Sequence, residues 1–109
     1  MSARSEYDAA YFTLLRAIEE RDDLLRYRDW LADERARLDA FADETRDRTD
    51  VLPRKVRRPL DGTTRPLLEA VGRRRAVVLD EQRRMDDRVG AAEAFVTECE
   101  AEVDALRAR

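Results

Sequence analysis

Apolar residues recur every seven positions through the second half of the chain. Val71, Val78, Met85, Ala92, Cys99 and Leu106 form one series; Leu68, Arg75, Gln82, Val89, Val96 and Val103 form a companion offset by four. Two interleaved sevenfold series are the a/d seam of a coiled coil, sustained here for about five heptads. The seam carries two polar residues, Arg75 and Gln82, both toward its N-terminal end. The first half is broader in its pattern. Leu24, Leu31 and Leu38 make one stripe, Tyr11, Ile18, Leu25 and Ala32 a neighbouring one, and Tyr27 and Phe41 widen the apolar face. Two adjacent stripes on one helix call for more than one packing partner.

Breakers divide these patterns into two long elements. No Gly or Pro interrupts residues 5–49, so a helix is expected from near Ser5, where Ser5 and Asp8 have capping-box spacing, to about Thr49. Pro53, Pro59, Gly62 and Pro66 then crowd a short stretch, predicting a loop over about 50–64 with a turn at Pro59-Leu60-Asp61-Gly62. Thr64 is a candidate N-cap for a second helix over about 65–107, with Pro66 in its first turn. Equal lengths about one break predict an all-α fold: an antiparallel coiled-coil hairpin, a single domain over residues 1–109. A second copy would supply the extra packing partner, giving a homodimeric four-helix bundle. Pairing about a tip near residue 57 sets residue i opposite roughly 114 − i, bringing Gly90 toward Leu24 in a close helix approach and Arg75 toward Asp39.

Composition narrows the chemistry more than it names a function. The chain has no His, and its single cysteine, Cys99, can close no intramolecular disulfide. Ser-His and Cys-His nucleophile systems are therefore impossible within one chain, as are His-based zinc sites. Gly62, Gly72 and Gly90 are isolated, so no glycine-rich phosphate loop exists. No catalytic residue, metal ligand or cofactor is predicted. No apolar run approaches 18 residues and the N-terminus lacks a secretory apolar core, so a cytoplasmic protein with no membrane partner is expected.

Charge supplies the functional lead. Residues 1–49 carry 9 Arg against 13 acids and residues 77–109 carry 5 against 9, whereas residues 50–76 carry 8 Lys and Arg against 3 acids. A hairpin places that positive block at its tip. Arg54, Lys55, Arg57 and Arg58, with Arg65, Arg73 and Arg74, are the candidate partner-binding residues, since guanidinium groups make bidentate contacts with carboxylate or phosphate. Three readings remain open: a solvated loop neutralised by nearby acids, a contact for an acidic protein surface, or a nucleic-acid contact. The block lacks the interleaved aromatics of a base-stacking platform. Tyr27 and Trp30, three apart, form a candidate protein interface, because aromatic residues are enriched at binding hot spots. Arg21, Arg28 and Arg35 repeat every seven residues along a flank of the first helix; they can cover the seam with their methylenes or hold a small anionic regulator. The sum of these readings is a non-enzymatic interaction module, an adaptor or regulator, with a nucleic-acid-associated factor as the alternative.

Two hairpin families offer a pattern to test. Gre-type transcript-cleavage factors resemble it in shape and carry acids at the tip, where this chain has only Asp50 and Asp61 among basic residues. The anti-sigma hairpins that bind a cyclic dinucleotide resemble it in the spacing of Glu19 and Arg26, but Asp23, Trp30 and Glu34 stand where that pattern has Ser, Gln and Asp. Neither motif is present.

Overall fold

The computed structural model describes residues 2–109 as two long helices, α1 (Ala3–Asp50) and α2 (Arg54–Arg107), packed against each other as a helical hairpin. Only Val51–Pro53 connects them. By contact the hairpin divides into two compact units. A base is built from residues up to Asp29 with Arg84–Arg109, and a tip unit from Trp30–Arg83.

Helix α1 starts earlier than the Ser5 capping box predicts. The Ser5 N–H donates to Ser2 Oγ at 3.2 Å and the Glu6 N–H to the Ser2 carbonyl at 3.1 Å, so Ser2 is the cap and Ser5 the third helical residue. Both serines have the right side chain; the one placed to reach a free N–H two or three residues on is Ser2.

The larger departure is the loop. The expected span of about 50–64 contracts to three residues, and the block from Arg54 onward is helical, with Pro59 and Pro66 inside α2. Pro53 rather than Thr64 begins the helix: its carbonyl accepts from the N–H groups of Val56 and Arg57, each at 2.9 Å. An internal proline deletes one hydrogen bond and crowds the carbonyl four residues before it, here those of Lys55 and Gly62. Pro59 and Pro66 are seven apart and both exposed, so the two defects fall on the solvent side, where water can reach the released carbonyls. Thr64 and Leu68 are half-buried on the inner side and hold the helix against its neighbour.

The base contains most of the core. Ala17, Val96 and Cys99 cluster with Leu14 and Ile18 packed against them, and Met85, Val89 and Val103 are also buried. At its open end Arg107 donates to the Tyr7 hydroxyl at 3.3 Å, Arg109 lies 3.6 Å from Glu6, and Tyr7 stacks on Tyr11. Gly90 is not a point of close approach to Leu24, since a Cβ built on it would meet nothing within 4 Å. In the tip unit the only buried apolar residues are Leu31 and Val78, each 1% exposed. There the helices are tied by charge instead: Arg75 Nε donates to Asp39 Oδ1 at 2.5 Å, the pair that the seam register predicts.

Candidate functional site

Because α2 begins at Arg54, the basic block is a helical surface rather than a loop. Arg54, Arg58 and Arg65 follow at steps of four and seven, so they form one stripe along α2, and all three are exposed. Lys55 and Arg73 are exposed beside it, and Arg57 is half-buried toward the seam. Arg54, Lys55 and Arg58 surround a shallow cleft floored by Pro59. Arg65 shares a second cleft with Asp50, Asp61 and Glu69, yet none of these acids comes within ion-pair distance of it.

Among the described residues the block is the longest run of cations without an acid partner, although Arg4, Arg16 and Arg28 of α1 also form no ion pair. Arg21, Arg26, Arg35, Arg37, Arg46 and Arg48 each have an acid partner on α1. Arg74 and Arg75 reach across to Glu34 and Asp39. Arg54, Lys55, Arg57, Arg58, Arg65 and Arg73 form no ion pair among the described residues. The sequence reading grouped Arg73 and Arg74 together; the structure divides them, Arg73 outward and Arg74 toward Glu34.

The first turn of α2 has no acidic residue and three cations, Arg54, Lys55 and Arg57. Helix N-termini carry partial positive charge, so each cation there is unfavourable by a few tenths of a kcal/mol to about 1 kcal/mol. The placement works against the stability of the free hairpin, and an approaching anion relieves it.

The row Arg21, Arg28 and Arg35 is in step with half-buried Tyr7, Leu14, Ala42 and Thr49, all at sevenfold spacing. It therefore belongs to the edge of the seam rather than to an outer flank. Arg21 holds Asp22 through Nη2 at 3.1 Å, and Arg35 Nε lies 3.9 Å from Asp39 Oδ2. Two of the three thus have an acid partner, while Arg28 is exposed and has no ion pair among the described residues.

Trp30 and Tyr27 are both exposed, with 43% of Trp30 accessible, and the structure adds company that spacing alone did not reveal. On α1, Phe41 is seven residues beyond Glu34, and Trp30 is four before it. On α2, Leu67 is seven before Arg74, and Val77 three after it. Glu34 Oε1 and Arg74 Nε lie 3.8 Å apart, which brings the two stripes side by side on one surface. Leu67 and Val77 lie outside both sevenfold series of α2, and it is the cross-helix pair that sets them on a face with Trp30.

Two isolated groups complete the inventory. Gln82 Oε1 is buried in the seam with no hydrogen-bond partner. Burial, and secondarily the Glu98 carboxylate, pushes the Cys99 thiol up from its ordinary value, making it a packing group rather than a ready nucleophile. No helix is long and apolar enough among the described residues to cross a membrane. No family model, curated protein or solved structure matches the chain.

Proposed function

We propose that the hairpin is a non-enzymatic interaction module, an adaptor or regulator that acts as a homodimer and presents its basic tip to an acidic protein surface. The observation that carries this reading is the set of six cations, Arg54, Lys55, Arg57, Arg58, Arg65 and Arg73, on a helical scaffold without an acid partner among the described residues. Among the described residues, six of the nine arginines of α1 are paired with acids, whereas none of these six cations is. Arg54, Lys55 and Arg57 stand in the first turn of α2, at the positive end of the helix, where they cost stability until an anion arrives. Clustered guanidinium groups favour carboxylate partners through charge-assisted, bidentate hydrogen bonds.

The test is recovery of partners from native lysate on the wild-type protein and on a variant with Arg54, Lys55, Arg58 and Arg65 changed to Glu. A protein retained by the wild type after nuclease treatment and lost by the variant is the expected result. A nuclease-sensitive partner, with affinity falling steeply in salt as counterions are released, would replace the acidic-protein reading with a nucleic-acid one. Equal recovery on both baits would remove the tip from the account.

A further inference from the structure

We infer that the apolar flank of the tip unit, centred on Glu34 and Arg74, is the face on which a second copy of this chain docks. The inference rests on the dimeric reading proposed above and assigns it a surface.

The first support is a mismatch between apolar content and core. Within Trp30–Arg83 only Leu31 and Val78 are buried. Their neighbours in sequence, Trp30 and Val77, point out onto the flank with Phe41 and Leu67, and are 43% and 53% exposed. Four large apolar side chains on one surface of a small unit are the signature of an association face, since small units with thin cores gain stability by oligomerising.

The second support is the charge pattern, which selects the occupant. Glu34 accepts from Arg37 Nη2 at 3.0 Å and lies 3.8 Å from Arg74 Nε, too far for a hydrogen bond. Glu81 is seven residues beyond Arg74 on the same stripe, so the flank carries two carboxylates and two guanidiniums. A partner surface of one sign would leave half of these desolvated beside a like charge. A second copy related by a two-fold axis brings Glu34 of each chain to Arg74 of the other, and such reciprocal pairing is what an isologous interface requires.

The third support is the position of the basic stripe. Val56, Leu60 and Leu67 have the same four-and-seven spacing as Arg54, Arg58 and Arg65, displaced by two residues, or roughly 200° about the helix axis. Docking through the apolar stripe therefore leaves the cationic one facing outward, and each dimer would offer two copies of it to an acidic partner.

Light scattering on the intact chain tests both the reading and the face. Wild type at twice the chain mass is expected, with Phe41→Lys combined with Leu67→Lys reduced to the single mass and helicity retained, while Phe12→Lys on the other unit stays dimeric. Glu34→Arg and Arg74→Glu should each weaken self-association about tenfold or more, as loss of a central interface residue does. Mixing those two variants should restore the dimer, because each chain supplies the charge the other lacks. A single-mass wild type would overturn the dimeric reading and this inference with it. A dimeric wild type whose Phe41/Leu67 variant also stays dimeric, with no recovery on mixing, would keep the dimer and overturn this face. Should the lysine variant unfold, the mixing experiment decides alone.

Discussion

Replacing Pro59 and Pro66 by alanine distinguishes the helical basic block from a loop by the sign of its effect. In a helix interior proline is about 3 kcal/mol less favourable than alanine. Part of that is returned, because alanine frees the unfolded chain by about 0.4–1 kcal/mol. The solvent-side position of both rings lets water meet the released carbonyls of Lys55 and Gly62, which lowers the penalty further. A net gain of about 1–2 kcal/mol per substitution follows. For a chain of this size each kcal/mol raises the melting temperature by about 4–8 °C, so either variant should melt visibly higher by circular dichroism. Hydrogen exchange gives the local version: amides around residues 56–66 should become better protected. If both variants melt lower, the prolines are acting by restricting the unfolded chain at a non-helical site, and the helical description of residues 54–66 is refuted.

Gln82→Leu should stabilise by about 1–3 kcal/mol, because it removes a buried acceptor with no hydrogen-bond partner; denaturant unfolding would measure it. Met85→Ala should cost about 2–5 kcal/mol in the same assay, since Met85 is completely buried, whereas Val51→Ala in the exposed turn should change little. Gly62→Ala and Gly90→Ala should each add up to about 1 kcal/mol, as neither glycine has positive φ or a neighbour where the methyl would stand. For Cys99 the folded state holds the thiol proton more tightly than the unfolded chain does. Its contribution to stability is present below the ordinary thiol range and declines as pH rises through and above it; melting temperatures of wild type and Cys99→Ala should converge there if this group is responsible. Disulfide-exchange labelling of the folded protein should also lag that of the unfolded protein at neutral pH.

The parts of the fold readable from sequence were those where one pattern repeats many times. The sevenfold series of α2 identified Val78, Met85, Val89, Val96, Cys99 and Val103 as the buried side of the helix, and the same register brought Arg75 to Asp39. The tip misleads because it is read from local breakers. Pro59, Gly62 and Pro66 each disfavour helix, but Thr64 and Leu68, on either side of Pro66, face inward, and tertiary contact outweighs a propensity that acts on the exposed side. The sevenfold spacing of Arg21, Arg28 and Arg35 was visible, but spacing alone does not distinguish a seam edge from an outer flank. The burial of Tyr7, Leu14, Ala42 and Thr49 does. Of the candidate site, the charges were legible and their pairing was not: Arg73 and Arg74 are adjacent in sequence and differ only in which way α2 turns them.

The uneven distribution of the core bears on how the chain closes. Asp39 and Arg75 enclose a loop of 36 residues, while Ala17 and Val96 of the base cluster are about 80 apart. Loop-closure entropy rises only logarithmically, so forming the base directly costs about 0.7 kcal/mol more than forming the tip pair. The apolar burial available at the base exceeds that difference several times over. A hairpin with this distribution has no need to zip from its turn. The base can meet first, with the polar tip held as a tethered loop that anneals afterward and reopens first under denaturant. On this account the amides of the segment bearing the basic stripe should exchange with solvent sooner than those around Ala17 and Val96.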